Sequence, residues 1–305
     1  MLALTAMLLT ACSGGGGSSG NTGSSQSIST VLLKSSWEDA KAPNTQVQAD
    51  GLATRSSYLA PLPSHLITRV TNNGFDTSQA SGAITYDGAG EILGIAVSAH
   101  GVTHSWRNEG NTYVTAGDTT VGVSSDYHST RGLFANPHGD ATVWNYQSFG
   151  YWLTGYNNGG GELGAVSFGW ETPASAIPTS GTTDFNGFAS GTYISSQGEL
   201  HTTQADVYAT VNFGTRQVNI YTTNTYVKDL ATSTLQAKSG LNFSGTLNYN
   251  EGQNHLRSSS LTTSSGLSGS AEAKFYGPAL DEMGGVFSLT DGGIESYQGA
   301  FGAKQ

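Results

Sequence analysis

The chain has 305 residues, with 42 glycines, 14 tyrosines and only 11% charged residues. That length suits one large domain or two ordinary ones, and that mixture suits short strands joined by tight turns. The formal net charge is -10, and the twelve Lys and Arg form no run. This excludes a nucleic-acid partner and electrostatic adhesion to anionic lipid, so membrane association must come from a lipid anchor.

Residues 1–12 read as a lipoprotein signal. Met1 to Ala11 is almost wholly apolar, shorter than the ~20 residues that span a bilayer and suited to the hydrophobic part of a secretory leader. Leu9-Thr10-Ala11-Cys12 is similar to the bacterial lipobox, which implies lipidation of Cys12 and cleavage before it. No Lys or Arg precedes the apolar run, so the expected start of the leader lies upstream. Ser13 after Cys12 fits export to the outer membrane, lipid-anchored and facing the periplasm or the cell surface. Cys12 is the only cysteine; once lipidated it leaves no thiol for a disulfide or a Cys-ligated metal.

Residues 13–30 form a Gly/Ser-rich tether. Ser13 to Ser27 has no apolar side chain to bury, and a flexible coil of that length spans about 20 Å. Residues 31–178 then read as strands and loops, with apolar stretches such as Glu91-Ile-Leu-Gly-Ile-Ala-Val97 and Ala165-Val-Ser-Phe-Gly-Trp170 between Gly/Asn/Asp clusters. No long, capped helical period occurs there. Thr172 to Gly181 carries two prolines and a glycine, which break both strand and helix and place a domain boundary after residue 178.

Residues 179–305 alternate more cleanly. Val207, Ala209, Val211 and Phe213 share one strand face, Gly214 to Arg216 turns the chain, and Val218 and Ile220 continue that face. Leu241 to Tyr249, Leu267 to Phe275, Met283 to Leu289 and Tyr297 to Phe301 repeat the pattern, and Thr182 to Ile194 adds a strand at the front. About eight strands with one apolar side each describe a small closed barrel.

The chain end carries Ala273-Lys-Phe-Tyr-Gly-Pro-Ala-Leu-Asp-Glu-Met-Gly-Gly-Val-Phe-Ser-Leu289 and then Tyr297-Gln-Gly-Ala-Phe-Gly-Ala-Lys304. These segments resemble the signature of the transferrin-binding protein B β-barrel family, which also includes haem-scavenging and complement-regulator-binding surface lipoproteins. Ile177-Pro-Thr-Ser-Gly181 and Phe185-Asn-Gly-Phe-Ala-Ser-Gly191 resemble the way that family enters its barrel. The resemblance implies an all-β chain: an N-terminal handle-like β domain followed by a C-terminal eight-stranded antiparallel β-barrel. Phe275, Tyr276, Gly277, Pro278, Glu282, Gly284, Gly285 and Phe287 are then architectural. Gly284 and Gly285 are expected to let the chain bend, Pro278 to restrict a turn and Phe287 to fill the barrel.

Candidate chemistry is sparse. Beyond the tether neither G-x-S-x-G nor a Walker pattern occurs, and the G-x-G-x-x-G runs at Gly15 and Gly159 reflect glycine-rich composition. His100 and His104 would share a helix face, but Ile92 to Trp106 reads as extended, which separates them by about 13 Å. They count chiefly as surface or turn residues, with His100, His104, His128 and His138 retained as candidate haem or metal ligands. Asp281 and Glu282 point to opposite strand faces, unlike paired catalytic carboxylates, and a structural role suits Glu282. Tyr113, Tyr127, Tyr151 and Tyr156 lie among Gly and Asn, as in adaptable binding loops, although core packing explains any one of them.

The expected function is that of a lipid-anchored extracytoplasmic ligand-binding protein, not an enzyme. It would capture an iron source, haem or an iron-carrying protein, or another host or environmental protein, and pass it to an outer-membrane transporter or exporter. No resident cofactor is expected, haem entering only as a transported ligand. An adhesion or interaction lipoprotein with no small ligand is the alternative; a hydrolase has no catalytic constellation behind it.

Overall fold

The computed structural model describes residues 35–125, 129–139, 144–230 and 232–305. Cys12, the signal and the tether fall outside these residues, as do Tyr127 and His128. Among the described residues the chain is all-β apart from two 3-10 turns and a one-turn helix, α1 (Trp37–Ala40), whose first turn is capped by the Ser36 hydroxyl accepting from the Asp39 N–H.

Ten strands make the handle: β1 (Gln46–Leu59), β2 (Arg69–Asp76), β3 (Ser81–Tyr86), β4 (Ile92–Ala99), β5 (Val102–Arg107), β6 (Tyr113–Ala116), β7 (Thr120–Ser125), β8 (Thr130–Ala135), β9 (Gln147–Leu153) and β10 (Gly160–Gly169). They form one sheet in the order β5-β4-β3-β1-β10-β9-β8-β7-β6, with β2 paired to β1. The sheet curls until β5 and β6 lie alongside each other without pairing, a nearly closed barrel. Its inner face buries Trp37, Ile84, Val97, Trp106, Phe134, Trp152 and Phe168. Trp37 stands edge-on to Trp170 and Phe168, at 4.4 and 5.6 Å between ring centroids.

The stretch Ile92 to Trp106 is not one extended segment. Ala99 pairs with Val102, so His100 and Gly101 form a two-residue hairpin turn with φ of 51° and 74°. Such a turn requires positive φ at both central positions, which glycine adopts freely at the second. That glycine is the signal a purely apolar reading passes over.

After a 3-10 turn at Ala174–Ala176, the barrel comprises β11 (Thr182–Ile194), β12 (Leu200–Asn212), β13 (Gln217–Asp229), the short β14 (Leu235–Ala237), β15 (Phe243–Asn248), β16 (Leu256–Thr263), β17 (Ser268–Tyr276), β18 (Glu282–Thr290) and β19 (Ser296–Lys304). β12 pairs with β13 and β11 with β19, so eight strands close on themselves, with β14 annexed to β13. The interior is filled: Phe287 is fully buried, with Phe243 and Tyr297 at 4.7 and 4.8 Å. Outward positions carry Thr210, Asn212, Gln217 and Asn219, all exposed. This is the reverse of a barrel wall that faces lipid.

The family-like segment around β17 and β18 seats the handle on the barrel. The Glu282 carboxylate, 3% exposed, accepts from the backbone N–H groups of Asn145 (2.7 Å), Tyr146 (3.3 Å) and Gln147 (3.0 Å). The Gln147 side-chain amide donates to the Met283 carbonyl at 3.0 Å. A Cβ on Gly284 would lie 1.8 Å from that side chain's Oε1, so only glycine lets Gln147 in. The Tyr276 hydroxyl meets Ser167 Oγ at 3.1 Å, and Thr172 Oγ1 donates to the Gly277 carbonyl at 2.6 Å. Around these bonds Leu52, Phe149, Trp144 and Ala165 from the handle pack with Val286 and Ala300 from the barrel.

The expectation that Gly284 and Gly285 bend the chain is corrected by this geometry. β18 runs regularly through both, paired with Lys274 and Ala273 on one side and with Gly302 and Phe301 on the other. Close approach of the neighbours, rather than curvature, requires these glycines. Pro278 sits exposed in the connection between β17 and β18.

Candidate functional site

A cleft of about 440 Å³ lies between the outward face of the handle at β6 to β9 and the barrel wall at β12 to β14. Its handle side is low at Gly122, which contributes no side chain beside its cross-strand partner Leu133. Tyr151 forms part of the floor, 7% exposed, and its hydroxyl hydrogen-bonds Thr202 of the barrel. Burial pushes that phenol up to about 12, the Thr202 bond and the nearby Arg131 opposing it. It therefore stays neutral and ties the two walls together.

The rim is aromatic and aliphatic. Tyr113 (58% exposed), Tyr226 (43%) and Leu235 (64%) are three of the seven large hydrophobic side chains exposed among the described residues, and all three line this cleft. They cluster because alternation in β6 and β13 turns Tyr113 and Tyr226 outward while Val114 and Val227 go to the cores. Charge is confined to Arg131, Lys228 and Asp229. Arg131 lies over the Tyr156 ring at 5.9 Å, and Asp229 accepts from the N–H and hydroxyl of Thr232. Both are thus fixed in place, which leaves an apolar-rimmed surface with anchored charges, the make-up of a recognition site.

His100, His104 and His138 lie elsewhere, and His128 is outside the described residues. His100 occupies the β4–β5 turn, its N–H donating to Asp76 Oδ2 at 2.6 Å. His104 faces the handle interior between Trp106 and Trp152, with Nε2 2.8 Å from Glu162, whose other oxygen pairs with Arg55. His138 bridges the Tyr86 hydroxyl (2.8 Å) and Glu38 (3.4 Å), and burial holds its pKa below the usual imidazole range. Among the described residues no group of three His, Cys, Asp or Glu is placed to hold a metal. Of the singled-out tyrosines, Tyr113 and Tyr151 reach the cleft, while Tyr156 is buried with Tyr58, Leu153 and Leu200. Tyr226 and Leu235 were not singled out by the sequence reading; the outward phase of β13 was the available signal.

A handle sheet seated on a closed eight-stranded barrel, with a cleft between them, defines a handle-and-barrel β protein. Residues 177–305 match the family described as the C-lobe and N-lobe β-barrels of Tf-binding protein B. The barrel, residues 177–305, is thus similar to the β-barrels of transferrin-binding protein B.

Solved structures similar to it include a tryptophan-to-alanine mutant of transferrin binding protein B from Haemophilus parasuis Hp5, at 15% identity and a TM-score of 0.43, covering 84% of this chain and 45% of that one. Isotype 1 transferrin binding protein B from serogroup B Neisseria meningitidis is similar at 16% identity and a TM-score of 0.41, covering 83% and 43%. A surface lipoprotein of known structure is similar at 13% identity and a TM-score of 0.38, covering 84% and 98%. The chain thus spans under half the length of the first two. No curated protein matches it.

Proposed function

We propose that this protein is a lipid-anchored extracytoplasmic ligand-binding protein of the outer membrane that captures an iron-carrying protein in the cleft between handle and barrel. The observation that carries the reading is the convergence of Tyr113, Tyr226 and Leu235 on one cleft. Exposed tyrosines beside a fixed arginine are the residues that dominate protein interfaces, and a rigid scaffold presents them at little entropic cost. The family to which the barrel is related is named for transferrin binding, which supports an iron carrier as ligand. Cys12 supplies the anchor, and capture is followed by transfer to a membrane transporter.

The test is retention of iron-loaded and iron-free transferrin on immobilised protein, with haem titrated in parallel. Retention of a transferrin that falls at least tenfold in Tyr113→Ala/Tyr226→Ala supports the reading. A shifted haem Soret band without transferrin retention replaces the protein ligand by haem, for which Tyr113 and Tyr226 are the phenolate donors at the rim. Neither response removes the iron reading. Mass spectrometry of the protein from its native membrane tests the anchor: an unmodified Cys12 thiol contradicts it.

A further inference from the structure

The barrel sheet ends on a strand with one side unpaired. Among the described residues β14 pairs with β13 alone, in the register Tyr226–Ala237, Val227–Gln236 and Lys228–Leu235, and it closes the strand order. At the two ends of this ladder the Lys238 N–H donates to the Thr225 carbonyl (2.7 Å) and the Asp229 N–H to the Thr234 carbonyl (3.0 Å). Bonded and non-bonded pairs alternate across an antiparallel ladder. The Gln236 backbone therefore faces β13, while the N–H and C=O of Leu235 and Ala237 point to the free side. Residues 232–239 are all exposed. The handle sheet differs, because its terminal strand β6 lies alongside β5.

No side chain of β14 guards this edge. Edge strands are ordinarily protected by proline or by charge, lysine above all, and Leu235-Gln236-Ala237 has neither. The lysine that follows is turned away: Lys238 Nζ lies 5.1 Å from the centroid of the Tyr193 ring, which belongs to the barrel core. Leu235 is the most exposed of the large hydrophobic side chains described, at 64%. Cross-strand partners share a face, so Leu235 and Ala237 stand on the side of Lys228 and Tyr226. Leu235, Lys228 and Tyr226 all line the cleft. The free edge is thus continuous with the cleft rim.

Given the cleft as the ligand site, on which this rests, we propose that its ligand adds an extended polypeptide segment to the free side of β14 as a further strand. Leu235 and Ala237 offer N–H donors and C=O acceptors in alternation along one line. A second backbone in the β conformation matches that row; a haem, a sugar or a lipid headgroup does not. The added strand continues the barrel wall and turns every second side chain to the face of Leu235 and Tyr226, into the cleft mouth. So short an edge makes few backbone bonds, and those side chains supply the rest of the affinity and the sequence preference. The segment that fits carries apolar or aromatic residues at alternate positions, to meet Leu235, Tyr226 and Tyr113, and no proline opposite β14.

Amide hydrogen exchange of the full chain, free and bound to iron-loaded transferrin, tests it, with affinity measured in parallel by surface plasmon resonance. The Leu235 and Ala237 amides are expected to exchange quickly in the free protein and at least about tenfold more slowly in the complex. Ala237→Pro removes one N–H that β13 does not use, at a place where an edge strand tolerates proline. It is expected to weaken binding about tenfold at an unchanged melting temperature, through the lost hydrogen bond and the clash of its ring with the incoming strand. Ala237→Ser keeps the N–H and is expected to bind as the native protein does. A complex in which both amides exchange as in the free protein overturns the proposal, as does undiminished binding by Ala237→Pro. The cleft survives either result as the ligand site if Tyr113→Ala/Tyr226→Ala still loses transferrin. Slow exchange of the two amides in the free protein, slower still as its own concentration rises, assigns the edge to a second copy and also overturns the proposal. No retention of transferrin by the native protein removes the cleft as its site and the added strand with it.

Discussion

Glu282 shows how one side chain can fix two domains. Burial pushes its carboxyl up to about 7, against the opposing pull of the three backbone N–H groups and Lys304. A folded-state pKa raised above the unfolded value of about 4.5 contributes stability that is complete below pH ~4.5 and lost as pH rises through about 7. The stability difference between the native protein and Glu282→Gln, measured by urea unfolding, is therefore expected to shrink between pH 5 and pH 8. A difference that grows over that range refutes the raised pKa. At pH 5 Glu282→Gln is expected to be less stable by about 1–3 kcal/mol, because its amide turns a donor toward N–H groups that need an acceptor. Strand alternation put Asp281 and Glu282 on opposite faces and a structural role suited Glu282, but its burial was not legible, because it comes from partners about 135 residues earlier in the chain. The cleft was legible only in part for a related reason. Tyr113 and Tyr151 stand out by their glycine and asparagine neighbours, yet whether an outward residue meets solvent or the barrel depends on how the two domains dock.

Individual strands were readable where one face is wet. β12, β13 and β17 alternate in sequence, and their inward residues Val207, Val218 and Ala271 all lie in the barrel core. β9 does not alternate because both of its faces are covered: Gln147 to Leu153 is buried throughout, between the handle core and the barrel. β16 escapes the pattern for the opposite reason, since its bulge puts Ser259 and Ser260 where one outward residue belongs. At this scale Phe287→Ala is expected to cost about 3–5 kcal/mol, a large-to-small change at the centre of a filled barrel. Chemical denaturation measures it, and a loss under 1 kcal/mol would mean that Phe243 and Tyr297 collapse into the space.

The two β domains behave as one body. Lys34–Gln305 forms a single compact unit, and the seam buries Trp144, Phe149, Leu52, Val286 and Ala300 together with the Glu282 clamp. One calorimetric transition is therefore expected, with equal calorimetric and van't Hoff enthalpies; two separated transitions would show that the seam is weaker than its burial implies. The all-β class and the closed eight-stranded barrel were readable from alternation and from the terminal motif. The seating of the handle was not, because it depends on contacts between segments distant in sequence, such as Ser56 with Gln298 at 2.9 Å. That seating creates the cleft. Gly122 offers the most direct way to test its use, since a Cβ there meets only the Thr115 carbonyl, at 4.0 Å. Gly122→Leu should fill the cleft while leaving the sheet intact, and surface plasmon resonance against iron-loaded transferrin measures the consequence. A loss of at least tenfold in affinity with an unchanged melting temperature is the expected result; undiminished affinity in a folded Gly122→Leu protein would place the ligand elsewhere.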